Sequence, residues 1–196
     1  DHSTSLPLVR AWAMAPARHG KKLALLHFDA HTDLLDKRLG IDFCFGTWTF
    51  HVREFFPTPD QLIQVGIRST GKERGHWEKT LGLTQYWAKE SIELGAQKLT
   101  EKIIAKYKAA KVDEVYLSFD IDALDTKWAS ATGTPEDAGL DPVFCALVIQ
   151  GIAKAFPVTG TDLMEVAPLV NPDFSPNMGQ RLTLETAASM ARQLVN

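Results

Sequence analysis

Three strand-like segments of this chain end in clusters of acidic residues, and no other feature constrains the fold as much. Leu23-Ala24-Leu25-Leu26-His27-Phe28 is followed by Asp29-Ala30-His31-Thr32-Asp33. Val115-Tyr116-Leu117-Ser118-Phe119 is followed by Asp120-Ile121-Asp122, with Asp125 close behind, and the segment 161–166 carries Asp162, Met164 and Glu165. A continuous apolar run of about six residues is the signature of a strand buried on both faces. Leu62-Ile63-Gln64-Val65-Gly66-Ile67 reads as a second buried strand, and 83–87 is a shorter candidate. Apolar residues at helical spacing lie around these strands at 5–19, 91–110 (opened by Ser91), 142–155 and 180–194, while 42–59 and 120–140 read as loops. Strands alternating with helices predict a three-layer α/β/α fold with a mostly parallel sheet. In such sheets, ligands bind beyond the carboxyl ends of the strands, where these acidic clusters fall. No repeat or linker interrupts residues 1–196, so one domain is expected.

Composition excludes several classes. With 196 residues, 45% hydrophobic, the chain is long enough to bury a core without staples. A net charge of −3 with both signs interspersed argues against nucleic acid as a partner. No apolar run approaches the about 20 residues of a membrane span. Cys44 and Cys145 are far apart and in no C-x-x-C pair, which reads as two buried free thiols in a reducing, cytoplasmic setting.

Alternation along extended chain lets Asp29, His31 and Asp33 converge, and likewise Asp120 and Asp122. A single Asp at a strand end is ordinarily a cap or turn residue. Four carboxylates and an imidazole at one sheet edge repel each other unless cations neutralise them. An EF-hand calcium loop is excluded, because the sixth position from Asp29 is Leu34 and the twelfth is Gly40. Oxygen-rich ligands with one or two imidazoles suit manganese or a similar divalent ion, and bridging carboxylates suit a pair of them.

Other motifs do not hold. The segment 66–73 approaches a P-loop, but Glu73 stands where a Ser or Thr would meet magnesium, so it reads as a turn. G-x-S-x-G and H-E-x-x-H are absent, and His19, His27 and His76 read as surface or packing residues.

Phe28-Asp29-Ala30-His31-Thr32-Asp33, Ser118-Phe119-Asp120-Ile121-Asp122-Ala123-Leu124-Asp125, Thr132-Gly133-Thr134-Pro135 and Met164-Glu165-Val166-Ala167-Pro168 together resemble the ureohydrolase signatures, the agmatinase branch more than arginase proper. Asp1-His2-Ser3 is similar to the end of that family's Gly-Gly-Asp-His-Ser segment, which implies that the upstream part of the usual chain is missing. The resemblance implies a two-manganese enzyme that releases urea from a guanidino compound, such as agmatine or a guanidino acid. It also implies a homo-oligomer, trimeric or hexameric. Carried over by motif, one ion would be held by His2, Asp29, Asp33 and Asp120, and the other by Asp29, His31, Asp120 and Asp122. Glu165 would take the guanidinium through two parallel hydrogen bonds. A metal-activated hydroxide would attack the guanidinium carbon, with Asp33 taking its proton and passing it to the departing amine.

Two positions depart from the pattern. The family's His-Gly-Thr segment is Phe45-Gly46-Thr47 here, which makes His51, six residues on, the expected substitute as a catalytic group. Thr126 follows Asp125 where the family has proline. The alternatives are a catalytically weak metal-binding homologue acting as a regulatory or structural subunit, and a mononuclear zinc amidohydrolase of the deacetylase type.

Overall fold

The computed structural model describes residues 1–169 and 178–195. Five strands form one sheet: β1 (Leu23–Phe28), β2 (Leu62–Ile67), β3 (Thr84–Trp87), β4 (Glu114–Asp120) and β5 (Val158–Met164). Their order is β3-β2-β1-β4-β5 and every pairing is parallel. The chain runs outward from β1 to β3 and then returns to place β4 on the other side of β1. The order therefore reverses between β1 and β4, and a crevice opens at that point beyond the strand ends.

The helices explain why the strands read as mostly apolar runs. One face, carrying Ala24, Leu26, Phe28, Val115, Leu117 and Phe119, packs under α5 (Ala96–Ala109), α6 (Pro142–Ala155) and α7 (Met178–Val195) through Leu99, Ile103, Val148, Ile152 and Met190. The opposite face, with Leu23, Leu25, Leu62 and Tyr116, packs on α1 (Ser5–Met14) and α2 (Trp48–Val52) through Val9, Trp12, Trp48 and Val52. This is the expected three-layer arrangement. No helix among the described residues is long and apolar enough to cross a membrane.

Local chemistry moves several boundaries. The first helix stops at Met14 instead of reaching residue 19, because Pro16 follows and opens a short 3-10 turn. The segment 91–110 is not one helix: α4 (Ala88–Leu94) and α5 are separated by Gly95 at φ 77°, and Ser91 lies inside α4 rather than capping it. Residues 42–59 were expected as loop, yet they contain α2, whose buried Trp48, Thr49 and Val52 anchor it to the core. A further short helix, α3 (His76–Leu81), follows the turn that begins after β2, and β5 begins three residues earlier than the apolar pattern indicated. Both cysteines are free thiols, but only Cys145 is buried, while Cys44 is half-buried.

At the amino end of the sheet, Glu114 accepts from Lys21 Nζ, from Arg18 Nε at 2.9 Å and from Thr159 Oγ1 at 2.6 Å. The contact with Lys21, then that with Thr159, holds its carboxyl down at about 2, well below the ordinary glutamate range. A depressed carboxyl contributes stability above its unfolded pKa and loses it as the pH falls through the folded one. Glu114→Gln is therefore expected to cost about 1 kcal/mol at pH 7, or about 2–4 °C in Tm. The gap from the parent should close as the pH is lowered from about 4.5 toward 2. Thermal melts across that range check both the size and the sign.

Candidate metal centre

Both acidic clusters emerge at the reversal point, because β1 ends at Phe28 and β4 at Asp120 as neighbouring parallel strands. The first turn of the chain brings His2 across to meet them. Its ring is 1% exposed, with Nδ1 lying 2.9 Å from Asp120 Oδ2, 3.2 Å from Asp29 Oδ2 and 3.5 Å from Asp33 Oδ2. His31 Nδ1 lies 3.1 Å from Asp122 Oδ2 and 3.4 Å from Asp29 Oδ1. Two groups of ligand atoms, each within 4.8 Å, result: His2, His27, Asp29 and Asp33, and Asp29, His31 and Asp122. Asp29 belongs to both, and Asp120 adjoins the first through His2. All six residues expected as ligands from the sequence are thus gathered at one place.

The chemistry of this donor set fits cations. His2 Nδ1 is buried and makes no directed hydrogen bond, although three carboxylate oxygens surround it. Its other nitrogen, Nε2, lies 2.9 Å from Ser118 Oγ, which donates to Asp162 Oδ1 at 2.7 Å. Because the serine proton goes to Asp162, Nε2–H donates to Ser118, which turns Nδ1 toward the carboxylates. Burial disfavours a charged ring, but contacts with Asp120 and Asp29 outweigh it and raise His2 well above the usual imidazole range. A cation displacing the Nδ1 proton would meet its lone pair there. Burial, then the charge of Asp29, pushes the Asp33 carboxyl well up, and burial with the charges of Asp122 and Asp29 does the same to Asp120. Burial would also raise Asp29, but contacts from His2, His27 and His31 outweigh it and hold Asp29 well below the usual range. Burial disfavours a charged His31, yet Asp122 and Asp29 outweigh that too and raise the ring to about 11. Divalent ions relieve this crowding of like charge, and the mixed carboxylate–imidazole set is one such ions favour.

Supporting contacts fix the ligands in turn. Trp48 Nε1 donates to Asp33 Oδ2 at 2.9 Å, the Ala30 amide to Asp122 Oδ1 at 3.1 Å, and the Asp122 amide to Asp120 Oδ1 at 2.9 Å. Asp162, buried, takes three hydroxyls: Ser5, Tyr116 and Ser118. Arg68, at the end of β2, donates to six backbone carbonyls: Gly66, Asp122, Ala123, Leu124, Glu136 and Asp137, at 2.7–3.3 Å. It binds the loop carrying Asp122 to the neighbouring strand. Asp33 at φ 52° and Glu165 at φ 60° both hold the left-handed conformation, a cost a non-glycine residue sustains only where its surroundings impose it.

The centre floors a cavity of about 680 Å³, which Glu165, Thr134, Arg38, Phe45 and Lys72 also line. Glu165 accepts from the His2 amide at 2.8 Å and is 19% exposed, so its carboxylate reaches the cavity beside the ligands. His51 does not join this site. Helix α2 turns Trp48, Thr49 and Val52 inward, and His51 points away into a separate pocket. There its Nε2 lies 2.8 Å from the Asp42 carbonyl oxygen and its ring packs against Phe43 and Phe50. Helical geometry, invisible while 42–59 read as loop, separates it from the ligands.

His27, read from the sequence as a surface or packing residue, instead belongs to the first ligand group, and the sequence assigns no role at this site to Trp48, Ser118 or Arg68. His27 is fully buried, with Nε2 2.8 Å from Asp29 Oδ2. The same two-residue alternation that grouped 29, 31 and 33 extends back to it, as it extends from Asp120 back to Ser118.

Comparison with known proteins agrees with this geometry. The Arginase family profile matches residues 1–195. A guanidinobutyrase of Pseudomonas aeruginosa is 36% identical over 172 residues, covering 86% of this chain and 51% of that protein. An agmatinase of Enterobacter sp. is 37% identical over 170 residues, covering 86% and 50%. Among solved structures, proclavaminate amidino hydrolase from Streptomyces clavuligerus superposes with a TM-score of 0.77 at 29% identity, over 99% of this chain and 61% of that one. The chain spans about half the length of the curated relatives it matches. With a match along nearly its whole length and a ligand set gathered at the strand ends, the chain belongs to the arginase family.

Proposed function

We propose that this chain forms a dimanganese amidinohydrolase site that cleaves a guanidino compound to urea and an amine. The observation that carries the reading is the pair of ligand groups sharing Asp29 on the floor of a cavity that also holds Glu165. His2, Asp29, Asp33 and Asp120 would hold one ion, and Asp29, His31, Asp120 and Asp122 the other. Two divalent ions, when bound, lower the pKa of water toward neutrality and so supply a nucleophile for a poor electrophile, the guanidinium carbon.

The protein's own groups do the rest. Glu165 accepts two N–H bonds from the planar guanidinium, which sets the carbon over the ligands and pairs its charge. Asp33, with its carboxyl raised and its Oδ2 held by the Trp48 indole, takes a proton from the attacking water and returns it to the departing nitrogen. Phe45 can neither donate nor accept a proton and His51 lies elsewhere, so Asp33 serves the leaving group alone. Assembly into trimers or hexamers belongs to this proposal through the resemblance, and a cytoplasmic setting through the two free thiols. The relatives named guanidinobutyrase and agmatinase support guanidino compounds as the substrate class.

The protein loaded with manganese is expected to release urea from at least one of 4-guanidinobutyrate, 3-guanidinopropionate, agmatine and arginine. Absence of urea from all four, with formamide released from formiminoglutamate instead, would replace the guanidine reading with an amidine one. No product from any of them would refute hydrolysis.

A further inference from the structure

We propose that Arg38 and Lys72 form a subsite for an anionic tail, so that the substrate is a guanidino acid rather than a guanidino amine. The inference rests on the amidinohydrolase reading and names its substrate class. The cavity is divided by charge. Of its acidic lining residues, Asp29, Asp33, Asp120 and Asp122 belong to the metal ligands, and Glu165 faces the guanidinium. The Asp1 carboxylate accepts from the Ser3 amide at 2.8 Å and caps the first turn. The remaining charged side chains that line the cavity are Arg38 and Lys72, and neither has a carboxylate partner among the described residues.

Arg38 is held in place by three features. Its guanidinium carbon lies 4.3 Å from the centre of the Phe45 ring, a cation–π contact. Gly46 makes room for its stem: a side chain there would bring Cβ to 3.3 Å from Arg38 Cδ. Its backbone is closed by a tight turn in which Arg38 and Ile41 exchange hydrogen bonds of 3.0 and 2.9 Å. The two residues between them, Leu39 at φ 50° and Gly40 at φ 82°, match a type I′ turn. Phe45 occupies the place of the histidine that the resemblance leads one to expect, so this departure exchanges an acid–base group for a platform under a cation. A guanidinium stacked on its face keeps its N–H edges free, and a carboxylate meets those edges with two parallel bonds. The ammonium of a guanidino amine would instead face two positive side chains. A substrate carrying opposite charges at its two ends matches the cavity at both.

The test compares kcat/KM for 4-guanidinobutyrate and agmatine, equal in carbon spacing and opposite in tail charge, on the manganese-loaded chain. The parent is expected to favour the acid by at least about tenfold. Arg38→Gln should shrink that ratio about tenfold, mainly by raising KM for the acid while kcat for the acid changes much less. Arg38→Glu should turn the preference toward agmatine. Preference for agmatine in the parent, or a ratio unmoved by both variants, would overturn the subsite. Should neither compound be hydrolysed, the amidinohydrolase reading is decided by the wider substrate set, and calorimetric titration with each compound still reads the tail. Tighter binding of the acid, weakened in Arg38→Gln, upholds the subsite; tighter binding of the amine, or binding of neither, rejects it.

Discussion

Asp29→Asn is expected to empty both metal positions at once. The carboxylate contributes to each ligand group, and its two oxygens face His2, His27 and His31. Asparagine keeps the shape but supplies one neutral oxygen in place of a shared anion, so neither group retains its charge. Bound manganese should fall from about two ions per chain to a small fraction of one, and urea release by at least about 10³-fold. Asp122→Asn gives the contrast, because that residue is a member of the second group alone. It should keep close to one ion. Elemental analysis of both variants, with circular dichroism to show that each is folded, decides the matter. Full loading of Asp29→Asn would mean that the two groups do not share a ligand.

Glu165→Gln should leave the metals in place and still lose most of the activity. The amide retains an oxygen to accept from the His2 amide, so the local backbone contact survives. What disappears is the negative charge opposite the guanidinium, together with one of two acceptors. The expected loss is about 2–4 kcal/mol in kcat/KM, roughly 30- to 1000-fold. A change below threefold for the best guanidino substrate would remove Glu165 from guanidinium binding.

The parallel sheet was legible because its strands are buried on both faces, which writes a run of mostly apolar residues at 23–28, 62–67 and 115–119, each interrupted by a single polar side chain (His27, Gln64, Ser118). The ligands were legible because carboxylates rarely crowd at strand ends without a reason. Short helices were not. Helix α2 has five residues and α3 six, too few to show a period, and their ends are set by packing of Trp48 and by Gly75 and Gly82. That lost piece of geometry is why His51 was grouped with a site it does not reach. Supporting residues were hidden for another reason. Ser118 and Trp48 each touch a ligand through one hydrogen bond, made across 116 and 15 positions of sequence, and spacing carries no trace of such partners.

Arg68 bears on what a metal ion encounters on arrival. A ligand loop that is loose without its ion must be ordered by binding, and the ordering entropy is subtracted from the affinity. Here the shape of the segment from Asp122 to Asp137 is set by a guanidinium joined to its backbone carbonyls, not to its carboxylates. Burial lowers the pKa of Arg68 while the charges of Asp122 and Glu136 oppose that shift, so the guanidinium is tied to the loop by hydrogen bonds to its carbonyls and to the carboxylates through charge. The backbone presenting Asp122 is therefore preorganised: in the proposed dinuclear site, an ion could leave and return without the loop being rebuilt around it.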